Sequence, residues 1–334
     1  MALLHLKVME TTAETPIIRR IALASADGGL LPSYEPGSHI TVHMPGIGRR
    51  KYSLINASPA ADATRAPATY TLGVRRDDAG QGGSKWMHAL KPGDVIESEP
   101  PGNDFELAAG TGPVTLLAGG IGVTPLISKA AALKAAGRPF HFIYAARSRG
   151  EFAFLDDIGA LAGDRLTLHA DDEAGAVLDI KGLIDGLGPD EPLYVCGPRP
   201  MIKAAMNEAK ALGWPKERLR YELFFTVGDA PAPEPAPAEN PAPDGDGSFE
   251  IEVKSSGAVY TVPAGKSIVD VLVEAGLDPL FDCNKGECGV CQCGVLEGVP
   301  DHRDSILSDS ERAAGKVMQI CVSRAKSPRL VLDL

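Results

Sequence analysis

Four of the six cysteines in the chain lie within eleven residues, in the segment CNKGECGVCQC between Cys283 and Cys293. The remaining two are Cys196 and Cys321. The N-terminal residues show no basic leader before an apolar run, so no signal peptide is expected. Cysteines of a protein that is not exported stay reduced, which favours metal or cluster binding over disulfides. The segment therefore predicts a site for iron or zinc.

The spacing of the cysteines distinguishes between an iron site and a zinc site. Cys283, Cys288 and Cys291 follow the pattern C-x4-C-x2-C, and Cys321 supplies a fourth thiolate about thirty residues on. This spacing is typical of plant-type [2Fe–2S] ferredoxins, in which four thiolates converge on two irons. A structural zinc site usually needs a second Cys-rich knuckle, whereas this chain has one. We therefore predict a [2Fe–2S] cluster with these four ligands, and keep zinc as the alternative.

Neighbouring residues bear on the same cluster. Gly286, Gly289 and Gly294 allow close approach of the loop backbone and positive φ angles. Cys293 lies two residues beyond Cys291, where it either competes as a ligand or packs as a small buried hydrophobic residue. We expect the second.

A Gly-rich turn predicts a nucleotide site. The strand-like run PVTLLAGG leads into Gly119, Gly120 and Gly122, and a helix follows at Thr124–Pro125. The free N–H groups of a helix N-terminus suit a pyrophosphate. We predict Thr124 as the N-cap and Pro125 as the first helical residue. A second junction of this kind, YVCGPRPM, follows later in the chain and supports the prediction.

Two earlier motifs predict a second phosphate site. The first is RKYS, from Arg50 to Ser53, and the second is GQGGSKWMH. Gly82–Gly83 free the backbone ahead of a helix that Ser84 is predicted to cap, starting at Lys85. Arg50 would add a charge-assisted contact to a phosphate at this helix terminus.

The elements that position these motifs form three predicted domains. Short alternating runs within residues 1–108 predict a small antiparallel β-barrel: LHLKVMETT, IIRRIALAS, HITVHM, KYSLIN and TYTLGVRR. Strand–helix alternation in residues 109–228 predicts an α/β domain with a parallel sheet. Residues 229–247, DAPAPEPAPAENPAPDGDG, predict an extended, semi-rigid linker.

Residues 248–334 predict a small α+β module. The run FEIEVKSSGAVYTV predicts a hairpin turning at Ser256–Gly257, and Ser267 with Asp270 resembles a capping box. The strand-like runs VMQICVSRA and RLVLDL end the module.

Charge and hydropathy exclude some partners. The net charge of −11 argues against nucleic acid and anionic membranes as partners. The longest apolar stretch, VTLLAGGIGVTPLI, is too short and too Gly-rich to span a bilayer. We therefore expect a cytoplasmic protein with no membrane or nucleic-acid partner.

Taken together, this order of motifs resembles a known family. A flavin barrel, a nicotinamide-nucleotide domain and a C-terminal β-grasp [2Fe–2S] ferredoxin domain are the parts of phthalate dioxygenase reductase and vanillate O-demethylase reductase. These are the reductase components of Rieske-type oxygenase systems. The resemblance covers nearly the whole chain.

The resemblance implies a flavin site. The R-x-Y-S motif of the family falls on Arg50, Tyr52 and Ser53, which would hold the flavin ring and its polar edge. Its G-R-G-G-S loop falls on Gly80 to Ser84, with Gln81 in place of the arginine. No adenosine-binding element follows, so FMN is expected rather than FAD. The predicted flavin-binding residues are Arg50, Tyr52, Ser53, Val74, Gly82, Gly83 and Ser84.

The resemblance also implies a nucleotide site. GGIGVTP matches the pyridine-nucleotide turn, and C-G-P-x-x-M falls on Cys196 to Met201, with the cysteine near the hydride-transfer position. E-x-F falls on Glu222 and Phe224, although Phe225 is an alternative for the aromatic residue. The predicted nucleotide-binding residues are Gly119, Gly120, Gly122, Thr124, Arg147, Asp171, Cys196, Gly197, Pro198, Met201, Glu222 and Phe224. The residues predicted to lie beside the reacting atoms, as catalytic residues, are Ser53, Thr124, Cys196 and Phe224.

NADH is expected rather than NADPH. Asp171 and Asp172 end the run LHADD where relatives that use NADPH carry Ser and Arg. Carboxylates there would repel a 2′-phosphate and suit a ribose hydroxyl. Arg147 and Arg149 weigh against this, because they could reach a phosphate from the neighbouring loop.

The implied activity is electron transfer from NADH through FMN and [2Fe–2S] to a partner. NADH delivers two electrons as a hydride, a [2Fe–2S] cluster accepts one at a time, and a flavin does both. The expected partner is a Rieske-type oxygenase; a haem-thiolate monooxygenase is the alternative. A redox-sensing iron–sulfur binding protein is the alternative from another class. The linker either lets the ferredoxin module turn outward or only tethers a docked module.

Overall fold

The structure is a computed structural model that describes residues 3–60, 63–78, 80, 82–224, 247–277, 279, 281, 284–286, 291–304, 306–307 and 309–334. The described residues divide into two compact units, the first within residues 3–44 and 50–224 and the second within residues 45–49 and 247–334. Of the predicted linker, only Gly247 lies among the described residues.

The first unit begins with the predicted barrel. Its strands are β1 (Leu4–Ala13), β2 (Ile18–Ser25), β3 (His39–Met44), β4 (Gly48–Ile55), β5 (Thr69–Arg75) and β6 (Val95–Ser98), with helix α1 (Gly83–Ala89) between β5 and β6. They close in the order β1-β2-β5-β4-β3-β6. In β1, the buried side chains of Leu6 and Val8 flank the exposed Lys7, which is the period-2 alternation expected of a strand with one face on the core. The prediction of a barrel is confirmed, and only β6 was not predicted.

A parallel sheet forms the second half of this unit. Its elements are β7 (Val114–Gly119), α2 (Val123–Ala135), β8 (Phe140–Ala146), α3 (Leu155–Ala162), β9 (Leu166–Ala170), α4 (Asp171–Ala174), α5 (Ile180–Asp185), β10 (Leu193–Cys196), α6 (Arg199–Ala211) and β11 (Leu219–Glu222). The strand order is β11-β10-β7-β8-β9, and all neighbours are parallel. All six residues of β7 are buried, as expected for a strand covered on both faces. The chain order reverses between β7 and β10, which is the position where such sheets bind ligands.

The second unit is the predicted α+β module. It contains β12 (Phe249–Val253), β13 (Ala258–Val262), α7 (Ile268–Glu274), β14 (Gln292–Glu297), β15 (Pro300–Asp301), α8 (Asp309–Ala314), β16 (Val317–Gln319), β17 (Arg324–Ala325) and β18 (Arg329–Asp333). Five strands form a sheet in the order β13-β12-β18-β14-β16, and β15 pairs with β17. The hairpin turns with Gly257 at φ 68°, and Ser267 and Asp270 form a complete capping box, so both predictions are confirmed.

Two predicted helix caps are wrong. A 3₁₀ turn over Gly120–Gly122 runs directly into α2, so the helix begins at Val123 and Gly122 is its N-cap. Thr124 therefore lies inside the first turn, where its hydroxyl donates to the carbonyl of Ile121 at 3.1 Å. Similarly, α1 begins at Gly83, and its N-cap is Gly82.

The hydroxyl of Ser84 bonds elsewhere. It accepts from the N–H of Asp77 at 2.9 Å and donates to the Asp77 carbonyl at 3.3 Å. Ser84 thus ties the turn back to the end of β5 instead of capping the helix.

The run VMQICVSRA is also not one strand. It divides into β16 and β17, because the N–H groups of Val322 and Ser323 both donate to the carbonyl of Gln319 and close a turn. Cys321 lies in this turn. Among the described residues, no helix is long and apolar enough to cross a membrane.

Candidate functional site

The two predicted nucleotide turns touch at the carboxyl ends of β7 and β10. A Cβ atom added to Gly122 would lie 2.1 Å from the carbonyl oxygen of Cys196, and one added to Gly119 would lie 2.5 Å from Cδ of Pro198. One added to Gly197 would lie 2.8 Å from Sδ of Met201. Real Cβ atoms do not approach so closely, so the sequence needs glycine at all three positions. The structure therefore brings the two turns together as one cradle.

Cys196 and Glu222 lie side by side at one edge of this cradle. They are paired between the parallel strands β10 and β11. Cys196 is fully buried, and this burial, reinforced by the Glu222 carboxylate, raises the pKa of its thiol well above the ordinary value. The thiol is therefore neutral at physiological pH. Phe224 follows β11 and packs against the core of the first unit, whereas Phe225 lies outside the described residues.

Helix α2 connects the cradle to the barrel. The Ser128 hydroxyl donates to the carbonyl of Leu54 in β4 at 2.6 Å and accepts from the N–H of Asn56 at 2.9 Å. One turn earlier on the helix, the methyl group of Thr124 lies against Gly73 in β5. The predicted nicotinamide turn thus lies directly on the barrel strands that carry the predicted flavin residues.

The predicted flavin residues on these strands include a polar atom that has no hydrogen-bond partner among the described residues. Ser53 is 5% exposed, and its hydroxyl has no hydrogen-bond partner among the described residues. Burial raises the pKa of the neighbouring Tyr52, so its phenol stays neutral. Val74 is buried, and its carbonyl bonds to the ring of His88 at 2.8 Å. A buried hydroxyl without a partner fits a flavin ring, whose polar edge would bond to it.

The two motifs of the predicted phosphate site also meet. Gly82 takes φ 91°, a conformation that glycine adopts readily and other residues rarely. A Cβ atom on Gly83 would lie 3.5 Å from Cγ of Arg50, so the arginine stem passes over the start of α1. Gln81, which replaces the arginine of the family, lies outside the described residues.

At the other end of the cradle, the loops after β8 and β9 adjoin. The N–H of Asp172 donates to the carbonyl of Arg147 at 3.0 Å. The carboxylate of Asp171 lies 3.2 Å from the His169 ring. These contacts place the predicted ribose residues on one edge of the sheet.

Arg149, the second arginine of this edge, forms an ion pair with Glu173. The guanidinium of Arg149 forms a fork with the carboxylate of Glu173, with N···O distances of 2.6 and 2.8 Å. Sequence analysis did not single out Glu173, although it follows directly after Asp171 and Asp172.

In the second unit, two of the four predicted cluster ligands can be placed. The Sγ atoms of Cys291 and Cys321 lie 2.9 Å apart, and both side chains are buried. Cys283 and Cys288 lie outside the described residues. Cys293 is also buried, and its thiol lies against the carbonyls of Gly294 and Asp333, at 3.2 and 3.7 Å. This is the packing expected of a buried residue that is not a ligand.

A buried carboxylate organises the backbone beside the cysteine loop. Asp304 accepts from the N–H groups of Ile306 and Leu307, at 3.2 and 2.9 Å, and from the guanidinium of Arg312 at 3.2 Å. A Cβ atom on Gly286, which takes φ 70°, would lie 2.9 Å from Cα of Asp304. The positive φ predicted for Gly286 is confirmed, and its close neighbours are Val322, at 2.6 Å from the added Cβ atom, and this segment. Asp304 was missed because its role depends on contacts across the fold.

Sequence analysis also missed a buried lysine in the first unit. Lys129 of α2 is completely buried, and its ammonium donates to the carbonyls of Phe105 and Pro36 and lies 4.2 Å from the centroid of the Phe105 ring. Burial lowers its pKa to about 7, while the Glu222 carboxylate opposes this shift. The available signal was Lys129 within the largely apolar run TPLISKAAALKAAG, which also contains Lys134.

Comparison with known proteins identifies an iron–sulfur domain in the C-terminal part of the chain. Residues 251–326 match the family described as a 2Fe-2S iron-sulfur cluster binding domain. Phenoxybenzoate dioxygenase subunit beta of Ectopseudomonas oleovorans is 38% identical over 312 residues, covering 93% of this chain and 91% of that protein. Vanillate O-demethylase oxidoreductase of Acinetobacter baylyi is 35% identical over 321 residues, covering 96% and 95%.

Solved structures agree. Phthalate dioxygenase reductase, described as a modular structure for electron transfer from pyridine nucleotides to [2Fe–2S], aligns with a TM-score of 0.64 at 30% identity, over 100% of this chain and 98% of that one. Full-length CYP116B46 from Tepidiphilus thermophilus aligns with a TM-score of 0.65 at 32% identity, over 99% of this chain. This chain spans only 42% of that protein.

A barrel, a parallel-sheet nucleotide domain and a 2Fe-2S cluster binding domain in one chain define a modular iron–sulfur oxidoreductase. The chain belongs to the family of oxygenase-system reductases that contains vanillate O-demethylase oxidoreductase and phthalate dioxygenase reductase. The family and fold predicted from the sequence are thereby confirmed.

Proposed function

We propose that this protein passes electrons from NADH through FMN and a [2Fe–2S] cluster to a separate oxygenase. The observation that carries the proposal is the contact of Thr124, in the nucleotide cradle, with β5 of the barrel at Gly73. Such a contact would place a nicotinamide on the cradle beside a flavin on the barrel. A bound flavin supplies the conversion between two-electron and one-electron transfer.

The flavin would be held by residues of the barrel. The hydroxyl of Ser53 would bond to the polar edge of the ring, beside Tyr52 and Val74. Arg50 and the N-terminus of α1, with Gly82 and Gly83, would hold the phosphate. The Ser84 hydroxyl already bonds to Asp77, so we assign the phosphate contact chiefly to Arg50 and the backbone N–H groups. The absence of an adenosine-binding motif in the sequence supports FMN.

The nucleotide would lie across the cradle. Its pyrophosphate would bind the turn from Gly119 to Gly122, and its nicotinamide would lie near Thr124 and Cys196. A neutral, fully buried Cys196 thiol would exclude water without taking part in proton transfer. Pro198, Met201 and Phe224 would complete the walls of the site.

The ribose edge supports NADH over NADPH. Asp171 supplies a carboxylate for a ribose hydroxyl. The fork with Glu173 occupies Arg149, which is one of the two cations that could bind a 2′-phosphate. We therefore assign NADH as the electron donor, with Arg147 contributing its backbone to the edge.

Four cysteines would hold the cluster: Cys283, Cys288, Cys291 and Cys321. The match to a 2Fe-2S cluster binding domain over residues 251–326 includes all four positions and supports this assignment over zinc. A cytoplasmic location stays a prediction from the sequence.

A Rieske-type oxygenase is the proposed partner. The relatives named after vanillate O-demethylase and phenoxybenzoate dioxygenase support an oxygenase as electron acceptor. One observation favours a second candidate, a haem-thiolate monooxygenase: nearly the whole chain aligns with part of CYP116B46.

Two measurements test the proposal. The purified protein should show flavin bands and a broad [2Fe–2S] envelope in its absorption spectrum, and acid extraction should release FMN. It should also oxidise NADH while reducing cytochrome c. A sample that contains its full complement of cofactors but neither oxidises NADH nor reduces cytochrome c would contradict the reductase function. Titration of electron delivery to purified oxygenases of the Rieske and haem-thiolate classes would identify the partner class.

A further inference from the structure

Gly73 of β5 lies where the barrel packs against the nucleotide domain. A Cβ atom at this position would lie 2.7 Å from Cγ2 of Thr124 and 2.8 Å from Cζ of Phe154. Both distances are below 3.0 Å, a separation that real Cβ atoms essentially never show. A methyl group here would therefore force Thr124, Phe154 or the strand itself to shift.

Thr124 is held so that its methyl group faces Gly73. Its hydroxyl donates to the carbonyl of Ile121, which fixes the side chain in the first turn of α2. One turn later, the Ser128 hydroxyl bonds to the backbone of β4 at Leu54. Helix α2 is thus fixed to two adjacent barrel strands and cannot slide to relieve a clash at Gly73.

Phe154 is held on the other side of Gly73 by groups from the barrel. It is buried and takes φ 60°, a left-handed conformation that is costly for a bulky residue. Its N–H donates to the carboxylate of Glu14 at 3.0 Å, and the guanidinium of Arg20 lies 4.8 Å from its ring centroid. Arg20 in turn bonds to Glu14 at 2.6 Å and to Asp157 in α3. This network compensates the backbone strain and keeps the ring against β5.

We propose that Gly73 is a positioning residue, which sets the distance between the strand that carries the flavin and the turn that carries the nicotinamide. This inference rests on the proposed function. Ser128 bonds to Leu54, and Leu54 pairs with Leu72 between the antiparallel strands β4 and β5. The same register, continued by one residue, would bring Ser53 opposite Gly73. Gly73 is therefore the barrel residue where flavin contact and nucleotide-domain contact meet.

The expected effect follows from the geometry of hydride transfer. The reacting atoms must approach within roughly 3–3.5 Å, and a displacement of about 1 Å can cost roughly 100-fold in rate. A methyl group at Gly73 would force a displacement of that order. The binding of each cofactor separately would change little, because the flavin and the nucleotide contact different domains.

The test compares Gly73→Ala with Gly159→Ala. Gly159 lies in α3, and a Cβ atom there would meet nothing within 4 Å, so it is the matched control. In anaerobic stopped-flow experiments at saturating NADH, Gly73→Ala should reduce its flavin roughly 10- to 100-fold more slowly than the wild type. Its charge-transfer absorbance with the nucleotide should be lost, while FMN content and the dissociation constant of NAD⁺ stay within about twofold. Gly159→Ala should match the wild type.

A second substitution tests the cause. Thr124→Ser removes the clashing methyl group but keeps the hydroxyl that bonds to Ile121, so Gly73→Ala/Thr124→Ser should recover part of the rate and of the charge-transfer absorbance. If Gly73→Ala fails to fold, the variant Phe154→Leu tests the inference instead. This substitution loosens the contact between residue 154 and Gly73 without adding volume, so it should slow flavin reduction several-fold while the FMN content stays unchanged.

Three outcomes would overturn the inference. One is a Gly73→Ala protein with the wild-type rate and absorbance. Another is a slow rate that falls only in proportion to lost FMN. The third is an unfolded Gly73→Ala protein together with a wild-type rate in Phe154→Leu. If the wild type itself fails to reduce flavin with NADH, the proposed function fails first and this inference falls with it.

Discussion

At the scale of single residues, the cysteines divide into four predicted cluster ligands and one buried cysteine that is predicted not to bind the cluster. Cys321 lies 2.9 Å from Cys291, whereas the Cys293 thiol lies against the backbone carbonyls of Gly294 and Asp333. We predict that Cys321→Ala abolishes the cluster, because three thiolates remain for a site that needs four. Cys293→Ala should keep it, at a cost of about 1 kcal/mol for the small cavity. Iron and sulfide analysis with the visible spectrum measures both outcomes, and the reverse pattern would show that Cys293 is the ligand.

The ion pair with Glu173 limits the ability of the Arg149 guanidinium to bind a 2′-phosphate. In Glu173→Gln the fork is weakened, and the guanidinium becomes free to bind a 2′-phosphate. We predict that the preference for NADH over NADPH, measured as the ratio of kcat/KM values, falls by roughly tenfold. NADH remains preferred, because Asp171 and Asp172 are unchanged.

The controls for this prediction are also surface residues. Asp185→Asn removes a carboxylate from another exposed ion pair, with Lys181, and should leave the ratio unchanged. In the double variant Arg149→Gln/Glu173→Gln, the gain in NADPH use predicted for Glu173→Gln should be lost, because the guanidinium is absent. Calorimetric titration with 2′,5′-ADP and 5′-AMP tests binding without turnover. An unchanged affinity for 2′,5′-ADP in Glu173→Gln would show that the fork plays no part in nucleotide choice.

At the scale of elements, sequence patterns predicted the strands and helices that obey a simple period. The barrel strands alternate, and β7 is uniformly apolar because helices cover both faces of a parallel sheet. Short elements such as β6, α4 and α5 were missed, since four to six residues carry little periodicity. The cap at Thr124 was wrong because a 3₁₀ turn moved the helix start.

The missed site residues share another cause. Gly73 and Lys129 matter through contacts between elements that are far apart in the chain. For Gly73 the sequence carries no local signal, and for Lys129 it shows only a lysine in a largely apolar run. The cysteine spacing and the Gly-rich turns carry a stronger local signal, because spacing alone specifies the chemistry that they predict.

Helix α2 carries a buried cation that makes the stability of the first unit depend on pH. Burial lowers the pKa of Lys129 from 10.5 to about 7. Between these values the unfolded chain holds the proton and the folded protein does not, so stability rises with pH. Below about pH 7 both states are protonated, and this dependence ends. We predict that the free energy of unfolding of the wild type, relative to Lys129→Met, rises by up to about 1.4 kcal/mol per pH unit above pH 7.

Urea unfolding followed by tryptophan fluorescence measures this difference. Trp86 and Trp214 are the only tryptophans, and both lie in the first unit, so the signal reports that unit alone. Measurements at about pH 7, 8 and 9 cover the window given by the pKa of Lys129. A difference between wild type and Lys129→Met that stays constant across this range would show that Lys129 keeps its proton in the folded protein.

At the scale of the whole molecule, the proposed function requires electrons to leave through the second unit, and the predicted linker of residues 229–247 would set the reach of that unit. Its alternating Pro and Ala residues predict an extended spacer with a reach of roughly 60 Å. If the ferredoxin module turns outward to meet the oxygenase, removing about half of the linker should slow electron delivery to the partner severalfold. Reduction of the flavin by NADH should be unaffected, because it takes place within the first unit.

The matched control keeps the length and changes the stiffness. A Gly/Ser linker of the same length preserves reach but removes the polyproline bias. Stopped-flow reduction of the flavin, of the cluster and of the purified oxygenase would separate the three steps in each variant. Wild-type turnover with the oxygenase in the shortened-linker variant would contradict the outward movement of the module. The oxygenase would then have to approach a ferredoxin module that stays docked.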